Sequence, residues 1–152
     1  VRHFSAIGVP LGTAFVAAPS RVAVDSLTRV AYVTSYTLGR IWRIAENGQR
    51  IDSTSVAAGP IGIAIDRARN RVWIADDLGA RVLGLDLGTL ALAVTVTNVG
   101  TPYDLAVDSA TGDVWVVARS NGTILRLAFD GTRLDLLSGF TDPVEIRLDP
   151  GQ

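Results

Sequence analysis

Short apolar runs bounded by turn residues recur along this chain. From Ile61 to Val99 they read "IGIAID", "RVWIAD", "ARVLGLD" and "LALAVTVTNV", each bounded by Gly, Asn, Asp or Pro. Runs of this length, rich in β-branched and aromatic residues, predict four strands and no helix of useful length. The first run has counterparts in "VAV" at 22–24 and "LAV" at 105–107. Alternation of alanine with larger aliphatics predicts an innermost strand packed on both faces in a crowded, tapering core.

The pattern is periodic. Asp25, Asp66, Asp108 and Asp149 are separated by 41, 42 and 41 residues, and Pro19, Pro60, Pro102 and Pro143 by the same intervals. The aromatic positions Tyr32, Trp73 and Trp115 keep that register. Repeats of this length built from four short strands predict an all-β chain of β-propeller blades, each of four antiparallel strands. The expected division is 18–58, 59–100 and 101–141 for three blades. Residues 1–17 are expected to supply an outer strand of a preceding blade and a linker, and 142–152 the first strand of a further one. Propellers typically close with four to eight blades. The chain is therefore expected to belong to a longer propeller or to be completed by oligomerisation. Self-association through open blade edges, or through the charge-free strand at 90–99, is the structural alternative.

The second repeat, "GPIGIAIDRARNRVWIADDLGARVLGLDLG", resembles an NHL or YVTN-type β-propeller repeat. Asp76 and Arg81 match the Asp and Arg of that family pattern, and Arg40 matches the Arg. Ser35 and Ala118 stand where the Asp would be, and Thr123 where the Arg would be. The resemblance covers residues 18–152 and implies a rigid scaffold. One fold hosts many functions, so function has to be argued from a site.

In a repeat protein the recurring positions are scaffold, and the varying ones are free to serve function. The aspartates closing each first strand recur and are assigned to turn-making, through side-chain hydrogen bonds to the following backbone. Two residues after each proline the chain varies: Arg21, Gly62, Asp104 and Glu145. Antiparallel connectivity puts the second-to-third-strand loops on that same side, with Tyr36, Asp76, Asp77 and Arg119. Mixed charges there predict a ligand face for a protein or a small polar ligand. No cofactor is expected.

The enzyme alternative rests on similarity to lactonase-type propeller hydrolases, which implies a divalent cation over the channel. Ca²⁺ favours oxygen ligands, and Glu145, Asp104 and Asp76 would supply them, although no family motif surrounds these residues. Streptogramin-inactivating propeller lyases depend on a histidine. The sole histidine, His3, falls on the N-terminal outer strand, which also makes a Ser-His-Asp system improbable.

Composition changes this picture little. A net charge of −1 gives no electrostatic pull toward nucleic acid or an anionic membrane surface. No apolar run approaches the ~20 residues that span a bilayer, so membrane insertion is not expected. Without cysteine there is no disulfide, thiolate nucleophile or thiolate ligand. An extracytoplasmic location is the expectation. "NGT" at 121–123 has the form of a glycosylation acceptor, and a blade turn calls for Asn-Gly in its own right.

Overall fold

In the computed structural model, which describes residues 1–5, 7–55 and 57–149, the repeats become three four-stranded antiparallel sheets. The first holds β3 (Pro19–Asp25), β4 (Val30–Ser35), β5 (Arg40–Ile44) and β6 (Arg50–Thr54). The second holds β7 (Pro60–Asp66), β8 (Arg71–Asp76), β9 (Arg81–Asp86) and β10 (Leu92–Val96). The third holds β11 (Pro102–Val107), β12 (Val114–Ala118), β13 (Thr123–Leu127) and β14 (Arg133–Ser138). Each sheet is a meander in sequence order, and the innermost strands lie side by side, β3 against β7 and β7 against β11. This is the blade arrangement of a β-propeller.

The two flanks differ from single strands. Residues Arg2–Phe4 (β1) and Pro10–Thr13 (β2) pair with each other as a hairpin. Its turn is closed by a hydrogen bond from Gly8 N–H to the Ser5 carbonyl (2.9 Å), with Gly8 at φ 82°. At the other end, 142–149 run without strand pairing, and 150–152 lie outside the described residues. A first strand needs a second strand to accept its backbone hydrogen bonds, and 142–149 pair with none among the described residues.

The cores lie between blades. Tyr32 and Ile41 of the first sheet meet Ile63, Val72, Ile74, Leu83 and Leu85 of the second. On its other face the second sheet sends Trp73, Ala75, Val82 and Val96 against Leu105, Val114, Val116, Leu125 and Leu127 of the third. A smaller cluster joins Ala14 and Val16 to Val33 and Ile44, with Trp42 packed on its edge. The charge-free stretch at 90–99 serves the same purpose, since Leu90, Val96 and Val99 are buried.

Turn chemistry fixes the ends of these strands. Asp25 accepts from Leu27 N–H (3.1 Å), the Thr28 hydroxyl (2.6 Å) and Arg67 of the next blade (2.6 Å). Burial pushes its carboxyl up, but these three donors outweigh that and hold it below the ordinary carboxylate value. Asp66 accepts from Arg69 N–H (3.2 Å), and Asp108 from Ala110 and Thr111 N–H (2.8 and 3.3 Å). The recurring aspartates of the three sheets are thus turn-makers. The turn that Asp149 would close falls outside the described residues.

Candidate loop-face binding site

The entrance to each innermost strand is irregular. In every sheet the pairing shifts register just after the blade proline, between Pro19 and Val22, Pro60 and Ile63, and Pro102 and Asp104. A bulge re-aims the side chains beside it and recurs at sites of function. Here it governs the varying residues Arg21, Gly62 and Asp104.

At Gly62 this position faces the following blade. A Cβ on Gly62 would come within 2.9 Å of Asp104 Cα and 3.0 Å of the Tyr103 carbonyl oxygen, so only glycine permits this approach of β7 to β11. Asp104 is buried. Its carboxylate accepts from Ile146 N–H (3.3 Å) and Arg147 (3.0 Å), and Arg147 also pairs with Glu145 at 2.6 Å. Asp104 therefore ties 145–147 against the third blade, where a neighbouring first strand would run.

Asp76 is fully buried beneath the loop face and fully engaged. One oxygen accepts from Ala58 and Gly59 N–H (2.9 and 2.7 Å), and the other takes Arg81 Nε at 2.7 Å. It fastens the connection into the second blade to that blade's own loop. In the first blade Ser35 does a weaker version of this, donating to the Ala17 carbonyl at 2.6 Å. With the oxygens of Asp76 and Asp104 already taking N–H donors and arginines, a divalent cation would have to displace Arg81 and Arg147.

The residues one position further on form the surface of the face. Tyr36, Asp77 and Arg119 are equivalent in their repeats and follow one another from blade to blade. Tyr36 donates its hydroxyl to Asp77 at 3.1 Å, and Arg119 pairs with Asp142 through Nε at 2.5 Å and Nη2 at 3.0 Å. Burial and the bond to Asp77 both push the Tyr36 phenol up, so it stays protonated and donating at neutral pH. The Arg119 guanidinium carbon sits 5.2 Å from the centre of the Tyr103 ring, and that of Arg21 lies 6.0 Å from the same ring, two blades from its own strand. Such contacts hold a guanidinium in place without using its N–H groups.

Tyr103 and Asp142 were not among the residues anticipated from sequence. Tyr103 carries the signal that could have found it: Ser20, Ile61 and Val144 occupy the equivalent positions, so an aromatic there departs from the repeat. His3 lies at the opposite end of the blades, where its Nδ1 donates to the Glu46 carbonyl at 3.1 Å. Asn121 ends a 3₁₀ turn, Arg119–Asn121, and Gly122 continues it at φ 58°, the left-handed conformation that an Asn-Gly turn supplies.

No family model and no curated protein matches this chain. Solved structures do. A candidate 6-phosphogluconolactonase from Bacteroides uniformis superposes with a TM-score of 0.78 at 13% identity, covering 98% of this chain and 54% of that one. Virginiamycin B lyase from Staphylococcus aureus gives 0.73 at 16% identity, over 90% of this chain and 47% of that one. BamB from Moraxella catarrhalis gives 0.66 at 16% identity, over 78% and 36%. The chain thus spans about half the length, or less, of the structures it matches. At these identities the likeness establishes the fold: this is a β-propeller chain.

Proposed function

We propose that this chain is a non-catalytic binding scaffold built of NHL/YVTN-type repeats, whose loop face receives a protein or a small polar ligand. The observation that carries this reading is the state of the polar groups on that face. The buried carboxylates are engaged in holding backbone and arginines, while Tyr36, Asp77, Tyr103 and Arg119 vary freely over an invariant blade. No histidine stands on that face to serve as a base, because His3 is at the other end of the blades. Neither nucleic acid nor membrane insertion enters the reading, nor does a metal. An extracytoplasmic setting and contact with further propeller blades through the open faces are consistent with it.

The test is a small-molecule binding screen by amide chemical shifts, run beside an assay of lactone hydrolysis with and without Ca²⁺. The reading expects shifts clustered at residues 36, 77, 103 and 119 and no turnover. Calcium-dependent hydrolysis lost in Asp104→Ala or Glu145→Ala would move the chain to the enzymes.

A further inference from the structure

Most charges on the loop face are matched inside the protein. Asp76 holds Arg81, Asp142 holds Arg119, and Arg147 is shared by Asp104 and Glu145. Asp77 takes the Tyr36 hydroxyl. Arg21 is different. Its Nε is buried without a hydrogen-bond partner, and its guanidinium meets no acceptor among the described residues. What it does meet is the Tyr103 ring at 6.0 Å. A buried N–H on a cation without an acceptor is unfavourable, and the blade fold does not ask for arginine there, since Gly62 and Asp104 fill the same position in the other blades.

We propose that Arg21 is the anion-binding element of a subsite for a small organic monocarboxylate, a proposal that rests on the binding-scaffold reading above. A guanidinium presents planar, paired N–H donors that match the two oxygens of a carboxylate. Tyr103 fixes the orientation of this one, which lowers the entropy lost on binding. The neighbourhood selects the charge of the ligand. Tyr36 N–H donates to Ser20 Oγ at 3.1 Å and its hydroxyl to Asp77, so one carboxylate already stands on the loop face that carries Arg21. A second full negative charge there, as on a phosphate dianion, would be repelled by Asp77, whereas a monoanion leaves the face near neutrality.

The experiment follows the arginine Nε–H resonances during titrations with benzoate, its neutral isostere benzamide, and inorganic phosphate at fixed ionic strength. Benzoate is expected to shift the Arg21 Nε–H signal and the amides of residues 21, 36, 103 and 119. Benzamide is expected to leave them in place, and phosphate to bind more weakly than benzoate. Arg21→Gln should bind benzoate at least tenfold more weakly with its thermal unfolding unchanged, and Arg21→Lys should fall between. Equal shifts from benzamide, tighter binding of phosphate, benzoate binding that survives Arg21→Gln, or no response to benzoate would each overturn the subsite. Lactone turnover would overturn the scaffold reading and leave the subsite standing. A neutral ligand bound on the loop face independently of Arg21 would do the reverse.

Discussion

The second blade and its two neighbours are written in nearly the same repeat, yet their side chains live differently. Ile63 on β7 is 9% exposed because the first blade covers it, whereas Val22, its counterpart on β3, is 53% exposed and Val24 60%. Trp73 is fully buried against the third blade. Its counterpart Trp115 is only half-buried, with Arg126 over its ring at 5.4 Å and Arg126 held in turn by Asp113. The difference teaches that a blade is not a unit of stability. Each repeat carries two apolar faces that only another blade can bury, as expected of quasi-one-dimensional repeats whose interface terms dominate.

The sharpest way to break this comparison is to truncate the two tryptophans. Trp73→Ala removes a large side chain from a closed interface and should cost about 3–5 kcal/mol. Trp115→Ala should cost less, since part of its surface is already in water. Denaturant midpoints of the two variants give the contrast directly, and equal losses would mean that the third blade's outer face is covered.

The clasps between blades give a second, smaller contrast. Asp76→Ala strands two backbone N–H groups and leaves Arg81 without its buried carboxylate, for a cost of about 3 kcal/mol. Ser35→Ala removes one neutral hydrogen bond, a loss of about 1 kcal/mol. Thermal unfolding of both variants checks the order.

The smallest effect is in the acid limb. The carboxyls of Asp25, Asp86 and Asp108 are held below their ordinary value, Asp25 against its burial and the other two chiefly by hydrogen bonds from Thr89 and Ala110. Groups depressed on folding bind more protons when unfolded, so their contribution is present above the ordinary carboxylate pKa of about 3.9 and is lost as pH falls below it. Asp25→Asn should flatten stability against pH below about 4, and leave the neutral region less stable by a constant amount. A variant with an unchanged acid slope would remove Asp25 from this account.

Much of the fold was legible because a period of 41 and 42 residues places prolines, aspartates and aromatics in register, and those positions are fixed by local rules of turn and taper. The pairing of Asp76 with Arg81 was legible for the same reason, through the repeat pattern. The flanks were not, because whether a segment becomes a strand depends on a partner strand outside it. β1–β2 found a partner in each other, and 142–149 did not. The site was only partly legible. Arg21, Asp104 and Glu145 were expected over the channel; Arg21 reaches Tyr103 two blades on, while Asp104 is tied to 146–147 and Glu145 to Arg147. Tyr103 and Arg147 broke their repeats as visibly as Arg21 did. Arg147 stands where Ala23, Ala64 and Ala106 stand elsewhere, and its use as a clasp for Asp104 appears only in three dimensions.

Amide hydrogen exchange of the whole chain tests the central claim, that blades are stable through their neighbours, more directly than any variant. Protection should be greatest in the second blade, at Val72–Ala75 and Val82–Leu85. It should fall through β3 and β12 and be least in β14 and in the β1–β2 hairpin, following the burial of each face. Uniform protection across the three blades, or faster exchange in the second blade than in the others, would contradict it.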